Sequence, residues 1–173
     1  MAISLYDISV ASYLQTLGGI ATVLSRGAQH AADGLLDLEQ IVRFTLRDDM
    51  APFSFQVISV WHHSLGAIEG LKKGLFQPPP KMSGLDYTQL QGLVAEAIEG
   101  LQGESRESID TVADEPMLFK VGSTEIPFTT GNFILSFSLP NFYFHATTTY
   151  DVLRMHGVPL GKMDYLGALR AGG

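Results

Sequence analysis

Apolar residues recur at helical spacing in four separate stretches, and this restricts the chain to a bundle of helices more than any other feature. Val10, Tyr13, Leu14, Leu17, Ile20, Ala21 and Leu24 form the first stripe. Phe53, Val57, Val60, Leu65, Ile68 and Leu71 form the second, and Leu90, Leu93, Val94, Ala97, Ile98 and Leu101 the third. The fourth lies in Pro140–Arg154, rich in aromatic and β-branched residues. Local signals bound each stretch. Ser4 with Asp7 three residues on reads as a capping box for a helix from about Leu5 to about His30. Asp49, with Pro52 in the first turn, predicts a second helix that closes at Lys73–Gly74. Asp86 caps the third and Gly103 ends it. The last runs from about Gly131 to about Met155, with a kink expected at Pro140, about a turn before His145. The predicted fold class is an all-α four-helix bundle.

Shorter segments join these helices. Asp37 starts a short helix that ends near Leu46, and Gln77-Pro78-Pro79-Pro80 reads as a stiff connecting loop. Glu104–Glu115 carries five acids against one arginine and reads as a solvated surface. Between Met117 and Phe128 the period changes, and a small β-hairpin turning at Gly122-Ser123 is predicted between the third and fourth helices. Pro127 makes its second strand an edge strand. Residues 1–173 form a single domain, with the tail from about 160 to 173 expected to be extended and loosely attached.

Composition removes several function classes. Hydrophobic residues make up 46% of the 173, enough for a real core. The net charge of −7, with basic residues scattered singly or in pairs, argues against a nucleic-acid partner. There is no cysteine, so disulfides, thiolate catalysis and zinc–thiolate sites are excluded. The first ten residues lack a basic leader pattern, and no apolar run reaching about 18 to 20 residues is evident. No membrane partner is expected, and the expected location is cytoplasmic.

Candidate chemistry centres on the last helix. Asn141, His145 and Thr149 recur at i, i+4 and i+8, so they share one face. Turned inward, that polar row requires partners. On the second helix Gln56 interrupts an apolar face, and His63 follows seven residues later on the same face. His62 points about 100° away from His63, toward solvent or a partner subunit. Tyr143 can donate a hydrogen bond into a pocket. The predicted site therefore lies between the second and fourth helices. His145, Asn141 and Gln56 are its catalytic candidates; His63, Tyr143 and Thr149 are its binding candidates. His145 suits a general acid–base role on a small-molecule ligand without a cofactor.

Asp49-Met50-Ala51-Pro52-Phe53 with Gln56-Val57 is one half of a resemblance. The other is Leu139-Pro140-Asn141-Phe142-Tyr143-Phe144-His145-Ala146-Thr147-Thr148-Thr149-Tyr150-Asp151-Val152-Leu153-Arg154, followed by Gly157-Val158 and Gly161-Lys162. Together they resemble a domain-of-unknown-function family of the DinB/YfiT-like superfamily, over Leu5 to Gly167. The resemblance implies an up-down-down-up four-helix bundle, often paired into dimers. In the wider superfamily it also implies a divalent metal, such as zinc or nickel, held by three histidines, in thiol-dependent transferases or hydrolases. Here Gln56 or His63 stands in on the second helix. The fourth helix offers His145 alone, with Asn141 before it and Thr149 after it. The metal alternative would use His145 and His63. A homodimer is expected as well, through the first or second helix, because Gly18-Gly19 permits close approach and Trp61 and His62 lie off the second core stripe.

Overall fold

The computed structural model describes residues 3–171 and is mostly helical. The first long rod consists of α1 (Leu5–Ile8) and α2 (Val10–Ala32), separated by Ser9, whose backbone leaves helical geometry. After α3 (Leu38–Arg43), the second rod runs through α4 (Phe53–Trp61), a π-helical turn (His62–Gly66) and α5 (Ala67–Lys73). β1 (Leu75–Phe76) precedes α6 (Tyr87–Gln102), the third rod, and α7 (Arg106–Asp110). Strands β2 (Pro116–Val121) and β3 (Thr124–Thr129) lead into the fourth rod. That rod comprises α8 (Thr130–Phe133), a second π turn (Ile134–Ser138) and α9 (Leu139–Met155). α10 (Lys162–Leu166) follows. The first rod packs on the third and fourth, and the second packs on the same two. Val10, Tyr13, Leu17, Ile20, Phe53, Val57, Leu90 and Phe142 fill the shared core, each without measurable exposure.

Caps and turns explain most boundaries. Ser4 and Asp7 form a capping box, as do Asp86 and Gln89. Gly74 and Gly122 adopt positive φ (66° and 58°) to end α5 and to turn the hairpin. Asp49 is not the cap of α4. Pro52 occupies that position, with no side-chain hydrogen bond to the helix end. The expectation of a lone hairpin also needs correction. β1 pairs in parallel with β2, Leu75 opposite Leu118, so the hairpin becomes a three-stranded sheet in the order β1-β2-β3. A two-residue strand carries too little pattern to be read from sequence. The acidic segment 104–115 likewise contains α7, anchored by the buried Ile109.

Pro140 does not interrupt the interior of an α-helical segment. It sits at the start of α9, directly after the π turn. A proline ring crowds the carbonyl four residues back, and a wider turn gives that carbonyl room. The apolar first rod also corrects the reading that no membrane-length run exists. Leu5–Ala32 has mean hydropathy 1.3 in its most apolar window, half of which is buried. Its apolar side is the core face just described, which accounts for the hydropathy.

The C-terminal stretch is docked, contrary to the sequence expectation; residues 172–173 of that expectation lie outside the described residues. Arg26 pairs with Asp164 at 2.9 Å and donates to the Pro159 carbonyl at 3.0 Å. Gln15 donates to the Leu166 carbonyl, and Arg170 donates to the Asp7 carbonyl. The close approach expected at Gly18-Gly19 is made by α10: a Cβ at Gly19 would collide with the Tyr165 carbonyl, whereas Gly18 faces open space. Two glycines side by side therefore have opposite roles. Gly19→Ala should destabilise the fold by about 1–3 kcal/mol through overpacking. Gly18→Ala should stabilise it by about 0.5–1 kcal/mol through helix propensity. Chemical denaturation of the two variants checks the contrast.

Candidate functional site

α4 and its π turn face α9, and the contact between them carries the candidate site. His145 is partly buried on α9, and its Nδ1 lies 2.8 Å from Gln56 Oε1 on α4. Gln56 is 2% exposed, and its Nε2 donates to the Ala51 carbonyl at 2.9 Å. The amide is thus held at both ends. His63, in the π turn, lies with its ring 6.0 Å from that of His145 and 17° from parallel to it. Sequence reading brought Gln56, His63 and His145 together, and so does the fold.

The other predicted members do not join them. Asn141 donates through Nδ2 to the Phe137 carbonyl at 2.7 Å, one turn back on its own helix. Thr149 is fully buried and donates to the backbone carbonyl of His145 at 2.9 Å. Both ends of the polar row therefore satisfy helix backbone rather than the imidazole. Tyr143 points elsewhere. Two residues before His145 it lies about 200° around the helix, where Tyr165 and Arg170 of the C-terminal stretch are its charged and polar neighbours. His62 corrects the solvent-facing expectation: it is buried, donates from Nε2 to the Gln77 carbonyl at 2.7 Å, and stacks on Phe76 at 4.5 Å. Both His62 and His63 touch Phe76, because a π turn rotates neighbours by a smaller angle than an α turn.

Sequence reading also missed the site's supports. Phe55 on α4 and Phe144 on α9 stand edge-on to the His145 ring at 5.8 and 5.2 Å, and are 39% and 54% exposed. Phe137 and Phe76 flank His63 at 5.6 and 5.5 Å. Behind them a buried chain crosses the core: Tyr13 Oη donates to Ser138 Oγ at 2.8 Å, and Ser138 Oγ donates to the His63 carbonyl at 2.8 Å. It joins the first rod and the two π turns. The dense run of phenylalanines from 133 to 144 was the available signal.

Burial governs the electrostatics. It pushes the His145 imidazole down to about 4. For His63, burial and then the neighbouring His62 and His145 push it down to about 3. Both are neutral at pH 7. His63 Nδ1 is sealed from solvent without a hydrogen-bond partner among the described residues, a cost of about 1–3 kcal/mol that a bound group or water would relieve. Two open clefts are lined by none of His145, His63 and Gln56. One of about 700 Å³ is lined by Val42, Pro52, Ile58, Met82 and Tyr87 among others. One of about 350 Å³ lies between Trp61 and Pro78.

Residues 5–166 match the family described as Domain of unknown function (DUF1993). The chain belongs to the DUF1993 family. A crystal structure of a DinB family member protein from Shewanella denitrificans is similar in fold, with a TM-score of 0.80 at 22% identity over 98% of this chain and 95% of that one. No match was found among curated proteins. The three-histidine metal centre that the sequence resemblance implies does not fit the residues of this DUF1993 chain. Gln56 has both amide ends engaged, and among the described residues no group of three His, Cys, Asp or Glu side chains converges to hold a metal.

Two outcomes follow for this DUF1993 site. Well above pH 6.5, His145 and His63 are neutral in folded and unfolded chains alike. Below it the unfolded chain takes up protons that buried His145 and His63 refuse until about pH 4 and 3. Stability is therefore full near pH 7.5 and falls toward pH 4.5, by up to about 1.4 kcal/mol per pH unit for each histidine. Urea unfolding at several pH values should show a shallower slope in His63→Leu than in the native protein. Ser138→Ala leaves the buried Tyr13 hydroxyl without an acceptor, and should cost about 1–3 kcal/mol in the same assay.

Proposed function

We propose that this protein binds a small molecule at His145, either as a binding protein or as an enzyme that works without a cofactor. The supporting observation is the doubly anchored Gln56 that holds the His145 ring at 2.8 Å. Ordering a buried amide for one imidazole is a costly arrangement unless the ring's orientation has a use. Neutral at pH 7, His145 starts as a proton acceptor and becomes a donor only after taking a proton. A base whose pKa is near 4 is modest in strength, so orientation of the bound group matters as much as proton transfer. Such a site would sit between the second and fourth rods of an up-down-down-up bundle.

The metal-dependent hydrolase or transferase is the second class. It would require His63 and His145 to find a further ligand from outside the described donor set. Metal analysis of protein purified without chelator or nickel affinity resin discriminates the two. We expect no stoichiometric zinc or nickel, together with a thermal upshift by a ligand-library member that disappears in His145→Ala. One equivalent of transition metal, lost in that same variant, would reverse the choice. We also propose a cytoplasmic homodimer. Gly18 on the first rod faces open space, which supports that rod as a contact surface, with the partly buried Trp61 on the second rod as the alternative. Light scattering should then return twice the 18.8 kDa chain mass.

A further inference from the structure

We infer that the His145 site takes an uncharged molecule presenting a hydrogen-bond donor on a flat apolar frame, with that donor directed at His145 Nε2 and the frame lying against Phe55 and Phe144. A phenol is the simplest such molecule. The inference rests on His145 being the functional centre, and it adds the class of ligand.

The orientation of one amide decides the polarity. A backbone carbonyl can only accept a hydrogen bond, so the end of Gln56 facing the Ala51 carbonyl at 2.9 Å must be its NH₂. The end facing His145 is then the amide oxygen, which also only accepts. His145 Nδ1 must carry the hydrogen. A neutral imidazole has one N–H, so Nε2 holds a lone pair. Nε2 has no partner among the described residues, and it is not one of the sealed, unpartnered nitrogens. It therefore reaches solvent as an acceptor. Its complement is an O–H or N–H, whereas a carboxylate or ketone oxygen would meet it lone pair to lone pair.

Charge and shape narrow the class further. Beyond burial, no carboxylate, lysine or arginine perturbs the His145 or the His63 ring; the only titratable groups acting on His63 are His62 and His145. A charged ligand would lose its hydration here and find no counter-ion. Phe55 and Phe144 come from facing helices, each edge-on to the imidazole, and are 39% and 54% exposed. A flat apolar frame covers both, and edge-to-face contact with their rings adds to the area it removes from water.

The test is long-range ¹H–¹⁵N NMR of histidine-labelled native protein at pH 7, titrated with phenol, anisole and benzoate at millimolar concentration. Expected are a protonated Nδ1 and an unprotonated Nε2 for His145. Phenol should shift Nε2 in the direction of hydrogen-bond acceptance, while anisole, which lacks the donor, and benzoate, which is charged, bind at least about tenfold more weakly. Gln56→Leu should give a mixture of tautomers and weaker phenol binding. A native Nε2–H tautomer, equal affinity for phenol and anisole, or no phenol shift overturns the inference. Benzoate moving His145 more than phenol overturns the ligand class alone. Phenol shifting Phe55 and Phe144 signals while His145 stays still overturns His145 as the centre as well.

Discussion

One serine hydroxyl holds the interior in register. Ser138 Oγ accepts from Tyr13 on the first rod and donates to the carbonyl of His63 on the second, while itself ending the π turn of the fourth. Away from water each of these groups must find its partner inside the fold, and here three rods share the same few atoms. Burial also pushes the Tyr13 hydroxyl well above its ordinary range, so it remains a donor under all ordinary conditions. The two π turns lie opposite each other because this link joins them. Helices that widen locally lose regular packing, and the aromatic cluster of Phe76, Phe119, Phe133 and Phe137 fills the space they open.

From that clasp the character of the site follows. His63 is carried on the widened turn, deep enough that its ring loses its charge, and the same burial affects His145 across the interface. Neither ring lies near an ionic partner, so the pair has low polarity despite containing two titratable groups. Gln56 then supplies direction. All three residues stand on helices rather than loops, which keeps the geometry stiff. The sheet contributes from outside: Phe119 of β2 rests on Phe137, and β1 delivers Phe76 beneath both His62 and His63.

The legible parts of the sequence were those in which a single physical rule acts locally. Apolar periodicity marked the long helices, and Ser4 with Asp7 and Asp86 with Gln89 marked their starts, because a cap is a contact between residues three apart. Gln56, His63 and His145 could be grouped because each is a polar residue on an otherwise apolar face. What was illegible depends on long-range contact. The polar row of Asn141 and Thr149 bonds backward to its own helix, an outcome spacing cannot separate from a shared pocket. The orientation of His62 changes with a π turn that no local pattern announces. β1 exists only because β2 is beside it, and the tail docks only because Gly19 leaves room for Tyr165.

That docking closes the molecule on itself. Arg170 reaches the Asp7 carbonyl and the Ser12 hydroxyl at 3.3 and 3.4 Å, and Asp7 in turn pairs with Arg106 at 2.8 Å. The beginning and the end of the described chain thus meet at one edge, like the ends of a clasped bracelet. Fraying at one of these places therefore loosens the other: when Arg170 lets go, Asp7, which holds the start of α1 through the Ser4 N–H, loses a neighbour as well.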